Sequence, residues 1–89
     1  MKIIKPATAG TLESSDAYVQ IEPCESGLIL ELESVVLAQF GEAIEEAVRN
    51  VAAELEVQNA KIRVMDRGAL ECVLKARVET ALLRGRGDR

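Results

Sequence analysis

Three runs of alternating polarity constrain the fold of this chain most. From Ala17 to Glu22, Ala17, Val19 and Ile21 fall on one side and Tyr18, Gln20 and Glu22 on the other. Leu28 to Glu33 repeats the pattern, with Leu28, Leu30 and Leu32 opposed to Glu31 and Glu33. Ala60 to Met65 repeats it again, with Ile62 and Val64 opposed to Lys61 and Arg63. A period of two marks strands with one buried and one wet face. Elsewhere the period changes. Leu37, Phe40, Ile44, Ala47, Val48, Val51 and Leu55 lie on one helical stripe, with Ser34 as the expected N-cap. Leu70, Val73, Leu74, Val78, Ala81 and Leu82 form a second stripe. Thr8 to Leu12, behind Pro6, completes the set as a short edge strand. The expected fold is α+β in the order βββαβα. It is a two-layer sandwich, with two helices on one face of a small, mostly antiparallel sheet whose first three strands form a meander.

Eighty-nine residues support one domain with a modest core. Residues 1–84 are assigned to it, and 85–89, which hold no apolar side chain, to a disordered tail. Tyr18 and Phe40 are the only aromatic residues, so the core is aliphatic and base-stacking nucleic-acid modules are excluded. The net charge of −4 conceals an asymmetry. Residues 13–56 hold eleven acids and one base, Arg49, whereas residues 57–89 hold eight bases and four acids. An acidic surface repels nucleic acid and anionic membrane and attracts basic protein surfaces. Lys61, Arg63 and Arg67 could form a small basic patch for phosphate, or simply a solvated strand face. Cys24, in a turn, and Cys72, on the inner side of the second helix, fit no metal spacing, and no metal is expected. With no leader and no apolar run near about eighteen residues, the chain reads as cytoplasmic, with reduced thiols.

The candidate site lies in Gly10-Thr11-Leu12-Glu13-Ser14-Ser15-Asp16, where Glu13 to Asp16 form a polar four-residue connection between the first two strands. The chain contains no histidine, and nothing beside the serines is suited to activate either as a nucleophile. No paired carboxylates suggest acid-base chemistry, so no catalytic residue is expected. An exposed, unactivated serine at a loop tip suits covalent modification by another enzyme. Taken from the residues alone, the serine pair reads first as two turn formers with no further role. Asp16 is expected to cap the turn, with contact to a modifying enzyme as the alternative, and Glu13 to be simply exposed.

Three stretches carry a family resemblance. They are Met1-Lys2-Ile3 with Pro6-Ala7, Ala9 to Ser14 and Asp16; Gln39-Phe40-Gly41 with Ala43-Ile44; and Asp66-Arg67-Gly68-Ala69-Leu70-Glu71-Cys72-Val73-Leu74-Lys75-Ala76-Arg77. In this order, from Met1 to about Leu83, the chain resembles the citrate lyase acyl carrier protein, the gamma subunit of that complex. The resemblance implies that Ser14 carries a covalently attached 2'-(5''-phosphoribosyl)-3'-dephospho-CoA arm, whose thiol holds acetyl and citryl thioesters. It implies a non-catalytic subunit working with an alpha subunit that transfers the acyl group and a beta subunit that cleaves it to oxaloacetate. A separate transferase would attach the arm. In one departure, the family pattern leads one to expect glycine after the carrier serine, where this chain has Ser15, and this leaves Ser15 as the fallback attachment point. Citramalate lyase uses a similar carrier, so the acyl substrate stays open. The alternative from another class is an unmodified α/β domain that scaffolds larger subunits. Phosphopantetheine carriers are four-helix bundles with an Asp-Ser-Leu motif, which is absent here, so that architecture is not expected.

Overall fold

The computed structural model describes residues 1–35 and 37–86, and of residues 37–39 the backbone alone. The elements are β1 (Ala7–Gly10), β2 (Ala17–Glu22), β3 (Leu28–Ser34), α1 (Leu37–Glu54), β4 (Ala60–Asp66) and α2 (Glu71–Gly85). They form an α+β domain with a four-stranded mixed sheet, not a helical bundle.

The strand order is β1-β2-β4-β3, which corrects the expected meander. β4 lies between β2 and β3, antiparallel to the first and parallel to the second. Alternation along a strand reports which side faces the core, not which strand is its neighbour. The parallel pair follows from the chain path, because β3 and β4 are joined through α1, and parallel neighbours need such a crossover. β2 and β4 take the two inner positions, and their inward residues Ala17, Val19, Ile21, Ala60, Ile62 and Val64 are all fully buried.

The registers align the inner residues across three strands. Val19 stands opposite Val64 and Ile21 opposite Ile62, while Leu30 and Leu32 of β3 flank Ile62 and Val64 from the other side. α2 packs on β1 and β2, α1 packs on β3, and the helices pack on each other. Val48, Val78 and Leu82 of the helices meet this sheet face and are fully buried. Each such side chain contributes about 1.5–3 kcal/mol relative to exposure.

Several boundaries differ from the sequence reading. β1 ends at Gly10, which leaves Thr11 and Leu12 to the loop. Ser34 is the last residue of β3, and its hydroxyl donates to Asp66 Oδ2 at 2.7 Å; its expected cap role concerns the start of α1, which adjoins residue 36, outside the described residues. The described part of the α1 stripe enters the core only from Ile44, and Phe40 is 53% exposed. Cys72 is exposed, because the inner positions of α2 are Leu74, Val78, Ala81 and Leu82. α2 runs through Gly85, which is buried and accepts hydrogen bonds from the backbone N–H groups of Ile4 and Lys5. Gly85 and Arg86 thus continue the helical end of the domain, while residues 87–89 of the expected tail lie outside the described residues. Two members of the basic patch are paired with the neighbouring strand, Lys61 at 3.8 Å from Glu31 and Arg67 at 3.2 Å from Glu33, while Arg63 is exposed.

Candidate functional site

The loop 11–16 joins β1 to β2, and its tightness begins at Gly10. That residue has φ +91°, and a Cβ there would lie 1.8 Å from the carbonyl oxygen of Ala17. Only glycine combines this left-handed backbone with so close an approach. The loop is then bound from inside. Glu13 N–H donates to Thr11 Oγ1 at 3.2 Å, and Asp16 N–H donates to the Glu13 carbonyl at 3.2 Å.

Asp16 gathers the rest. Its Oδ1 accepts from Arg77 Nε at 2.9 Å and from the Ala17 N–H at 2.7 Å. Its Oδ2 accepts from Arg77 Nη2 at 3.1 Å and from the Thr11 hydroxyl at 2.6 Å. The guanidinium fork of Arg77, followed by the Thr11 hydroxyl and the Ala17 N–H, holds the Asp16 carboxyl well below the usual carboxylate range. The same contact pushes Arg77 up. Asp16 therefore has the turn-holding role expected of it, and α2 supplies the partner.

A second brace comes from the turn after β4. Ser15 N–H donates to the Arg67 carbonyl at 2.8 Å, and Arg67 N–H donates to the Asp16 carbonyl at 2.9 Å. Asp66, only 2% exposed, holds that turn in place. Its Oδ1 accepts from the Ala69 N–H at 2.9 Å and its Oδ2 from the Ser34 hydroxyl.

Above this base stand the two serines, both exposed. Neither hydroxyl makes a hydrogen bond among the described residues. Ser15 has φ +66°, a conformation that glycine adopts without cost, which gives a physical reason for glycine at this position of the family pattern. Glu13 is exposed, as expected. Ser14, Ser15 and Asp16 were legible as loop residues, Thr11 was read as strand, and Arg67 and Arg77 were not legible as supports of the loop. The available signal was that both lie in the third resembling stretch, and they bring that stretch onto the first. Among the described residues, no group of three or more cysteines and acids could hold a metal ion, and no helix is long and apolar enough to cross a membrane.

Comparison with known proteins bears on this loop. The family model described as "ACP: Malonate decarboxylase delta subunit (MdcD)" matches residues 4–85. The citrate lyase acyl carrier protein of Escherichia fergusonii is 58% identical over 85 residues, covering 94% of this chain and 88% of that protein. The chain belongs to this acyl carrier family. Within the family, citrate lyase acyl carrier protein 2 of Salmonella typhimurium is 59% identical over 85 residues, with 94% and 88% of the two chains covered. The citrate lyase acyl carrier protein of Haemophilus influenzae (strain PittEE) is 55% identical over 84 residues, with 94% and 87% covered. A crystal structure of a Thermus thermophilus protein superposes with a TM-score of 0.66 at 15% identity. The match covers 94% of this chain and 16% of that much longer one, and it speaks for the fold alone.

Proposed function

We propose that this chain is the acyl carrier subunit of a citrate lyase, modified covalently on Ser14. The observation that carries the reading is an exposed serine hydroxyl, free of hydrogen bonds, at the tip of a loop braced from two elements, in a chain of this family. The tip fits a prosthetic group linked through the serine oxygen. The hydroxyl is accessible, and the charge of Arg77 beneath it is matched by Asp16. When bound, the 2'-(5''-phosphoribosyl)-3'-dephospho-CoA group supplies a thiol on a long flexible arm that carries acetyl and citryl groups.

The residues of the chain do the rest. Gly10, Thr11, Asp16, Arg67 and Arg77 hold the loop in one geometry, so that a modifying transferase meets Ser14 preformed. The chain contributes no acid-base chemistry: it has no histidine, and Asp16 is committed to four donors. Transfer and cleavage fall to the alpha and beta subunits of the complex, in the cytoplasm. Tethering raises the effective concentration of the acyl group at both of their sites.

The test is the intact mass of the protein from its native host, or co-expressed with its modifying enzymes. An added mass of one phosphoribosyl-dephospho-CoA group, absent in Ser14→Ala, is the expected result. Reconstitution with the larger subunits, offered citrate and citramalate in parallel, then fixes the acyl substrate. An unmodified native protein would leave the scaffolding alternative.

A further inference from the structure

The inward residues of the sheet meet the helices, and the outward residues form an open face whose two halves differ. On the β3 side the charges are paired, Lys61 with Glu31 and Arg67 with Glu33. On the β2 side they are not. Arg63 of β4 is exposed and makes no ion pair or hydrogen bond among the described residues. Its register partner on β3 is Glu31, which lies 3.8 Å from Lys61. Its partner on β2 is Gln20, half-buried and also without a hydrogen bond among the described residues. One row nearer the serine loop, Tyr18 stands opposite Met65, and both are half-buried.

These rows lead away from the attachment loop in a definite order. Tyr18 follows the loop directly, four residues after Ser14. Gln20 and Arg63 come next, two strand residues farther at about 3.4 Å each. An aromatic ring offers a flat surface on which a base stacks. An unpaired guanidinium beside it grips phosphate oxygens with its planar fork. Together they fit a nucleoside diphosphate. One ring and one unpaired cation are too few for a strand of nucleic acid, and Glu22, Glu31 and Glu33 on the same face repel a polyanion. They suffice for a single nucleotide that a tether keeps at high local concentration.

We propose that the open sheet face beside the serine loop is the resting place of the nucleotide part of the arm, with the adenine on Tyr18 and Met65 and the diphosphate on Arg63 and Gln20. This resting place presupposes the acyl carrier reading and deepens it. The adenine and the diphosphate both branch from the adenosine ribose, near the serine end of the arm, and the segment that bears the thiol lies beyond them. Holding the nucleotide therefore confines the mobile part of the arm to that last segment and leaves the thiol free to travel.

The test is nuclear magnetic resonance on the full chain with and without the arm, loading being read by intact mass. The loaded carrier is expected to show amide shifts at Tyr18, Gln20, Arg63 and Met65 beyond those in the loop. A nuclear Overhauser contact is expected between the adenine protons and the Tyr18 ring. Arg63→Gln and Tyr18→Leu alter side chains outside the core. Each is expected to lower the ratio of docked to free arm about tenfold, returning the shifts toward their unloaded values. Amides of Val19 and Val64, in the core, report whether each variant is folded. If Tyr18→Leu is not, Arg63→Gln decides. Shifts confined to residues 13–16 in a fully loaded carrier would overturn the resting place and leave the carrier reading standing. So would shifts that persist in Arg63→Gln, shifts that grow with protein concentration, or shifts given by free ADP and not by the arm. A native carrier with no added mass would overturn the carrier reading, and the resting place with it.

Discussion

Arg77 on α2 grips Asp16 at the foot of the serine loop with both arms of its guanidinium, at 2.9 and 3.1 Å, across 61 residues of sequence. The pair ties the loop tip to the helix that also covers β1 and β2, so the hydrophobic core and the attachment point share one support. Arginine fits this place because its planar fork serves both carboxylate oxygens at once.

Breaking this pair should disorder the loop without unfolding the domain. In Arg77→Ala, faster amide exchange is expected at Ser15 and Arg67, whose N–H groups bridge the loop and the turn after β4. The efficiency of Ser14 modification is expected to fall about ten- to hundredfold, as for a misplaced reacting group. The melting temperature should barely change, because the Arg77 side chain is 41% exposed and water screens its charge. Arg77→Lys should not restore the loop. Unaltered exchange at Ser15 in Arg77→Ala would sink this account.

The pH dependence follows from the direction of the Asp16 shift. Its carboxyl is held below the ordinary value of 3.8, chiefly by Arg77. A group depressed in the folded state contributes its stabilisation above the unfolded value and loses it as pH falls through the folded one. Loop protection should therefore stay level from neutral pH down to about 4 and decline only in stronger acid. Carboxyl chemical shifts of Asp16 measured against pH check this. A midpoint at the ordinary value would contradict the hydrogen-bonded geometry.

Ser14 and Ser15 should respond differently to substitution. Ser14→Ala is expected to lose all loading and keep its fold, since the side chain is exposed and unbonded. Ser15→Gly is expected to keep loading. It relieves a left-handed backbone cost of about 1 kcal/mol, offset by the greater freedom of glycine when unfolded, so net stability should move by less than about 0.5 kcal/mol. Mass spectrometry and thermal melting read both outcomes. Loading that survives in Ser14→Ala and disappears in Ser15→Ala would move the site to Ser15.

Much of the domain was legible because its signals are local. The alternation from Ala17 to Glu22 marked β2 to the residue, and the polar run from Glu13 to Asp16 marked the serine loop, short of its first two residues. What escaped was non-local. β3 and β2 look like hairpin partners across Pro23 to Gly27, and nothing in either strand announces that β4 comes between them. Cys72 and Val73 differ by one position in the α2 stripe, and a rotation of that size decides which is exposed. Arg77 reads as an ordinary solvated helix residue until Asp16 is placed beside it. The resemblance covered both stretches, but only the structure gave the physical reason for their connection.

Two glycines with the same backbone angle should differ sharply on substitution. Gly10 and Gly68 both have φ +91°. A methyl group at Gly10 would collide with the Ala17 carbonyl, whereas nothing lies within 4 Å of one at Gly68. Gly68→Ala is expected to cost about 1 kcal/mol, from backbone strain alone. Gly10→Ala is expected to cost about 2–3 kcal/mol more, lowering the melting temperature by on the order of 10–20 °C and opening the hairpin at the serine loop. Similar melting of the two variants would mean that the tight closure at Gly10 is not needed.

Asp66 should couple stability to the loop where Arg77 does not. Its side chain is buried and serves the Ala69 N–H and the Ser34 hydroxyl. Asp66→Ala leaves both donors without that acceptor in a largely closed site, at an expected cost of about 2–4 kcal/mol. The turn that presents the Arg67 carbonyl and amide to the loop would loosen with it. Asp66→Ala is therefore expected to lower the melting temperature and to speed exchange at Ser15 together, whereas Arg77→Ala speeds exchange alone. Combining the two substitutions should give a loop no more mobile than an unsupported one, with a melting temperature set by Asp66→Ala. If Asp66→Ala melts normally while its loop loosens, the turn after β4 belongs to the site and not to the scaffold. If it melts early with the loop still protected, the Arg77–Asp16 pair is sufficient by itself to hold Ser14 in place.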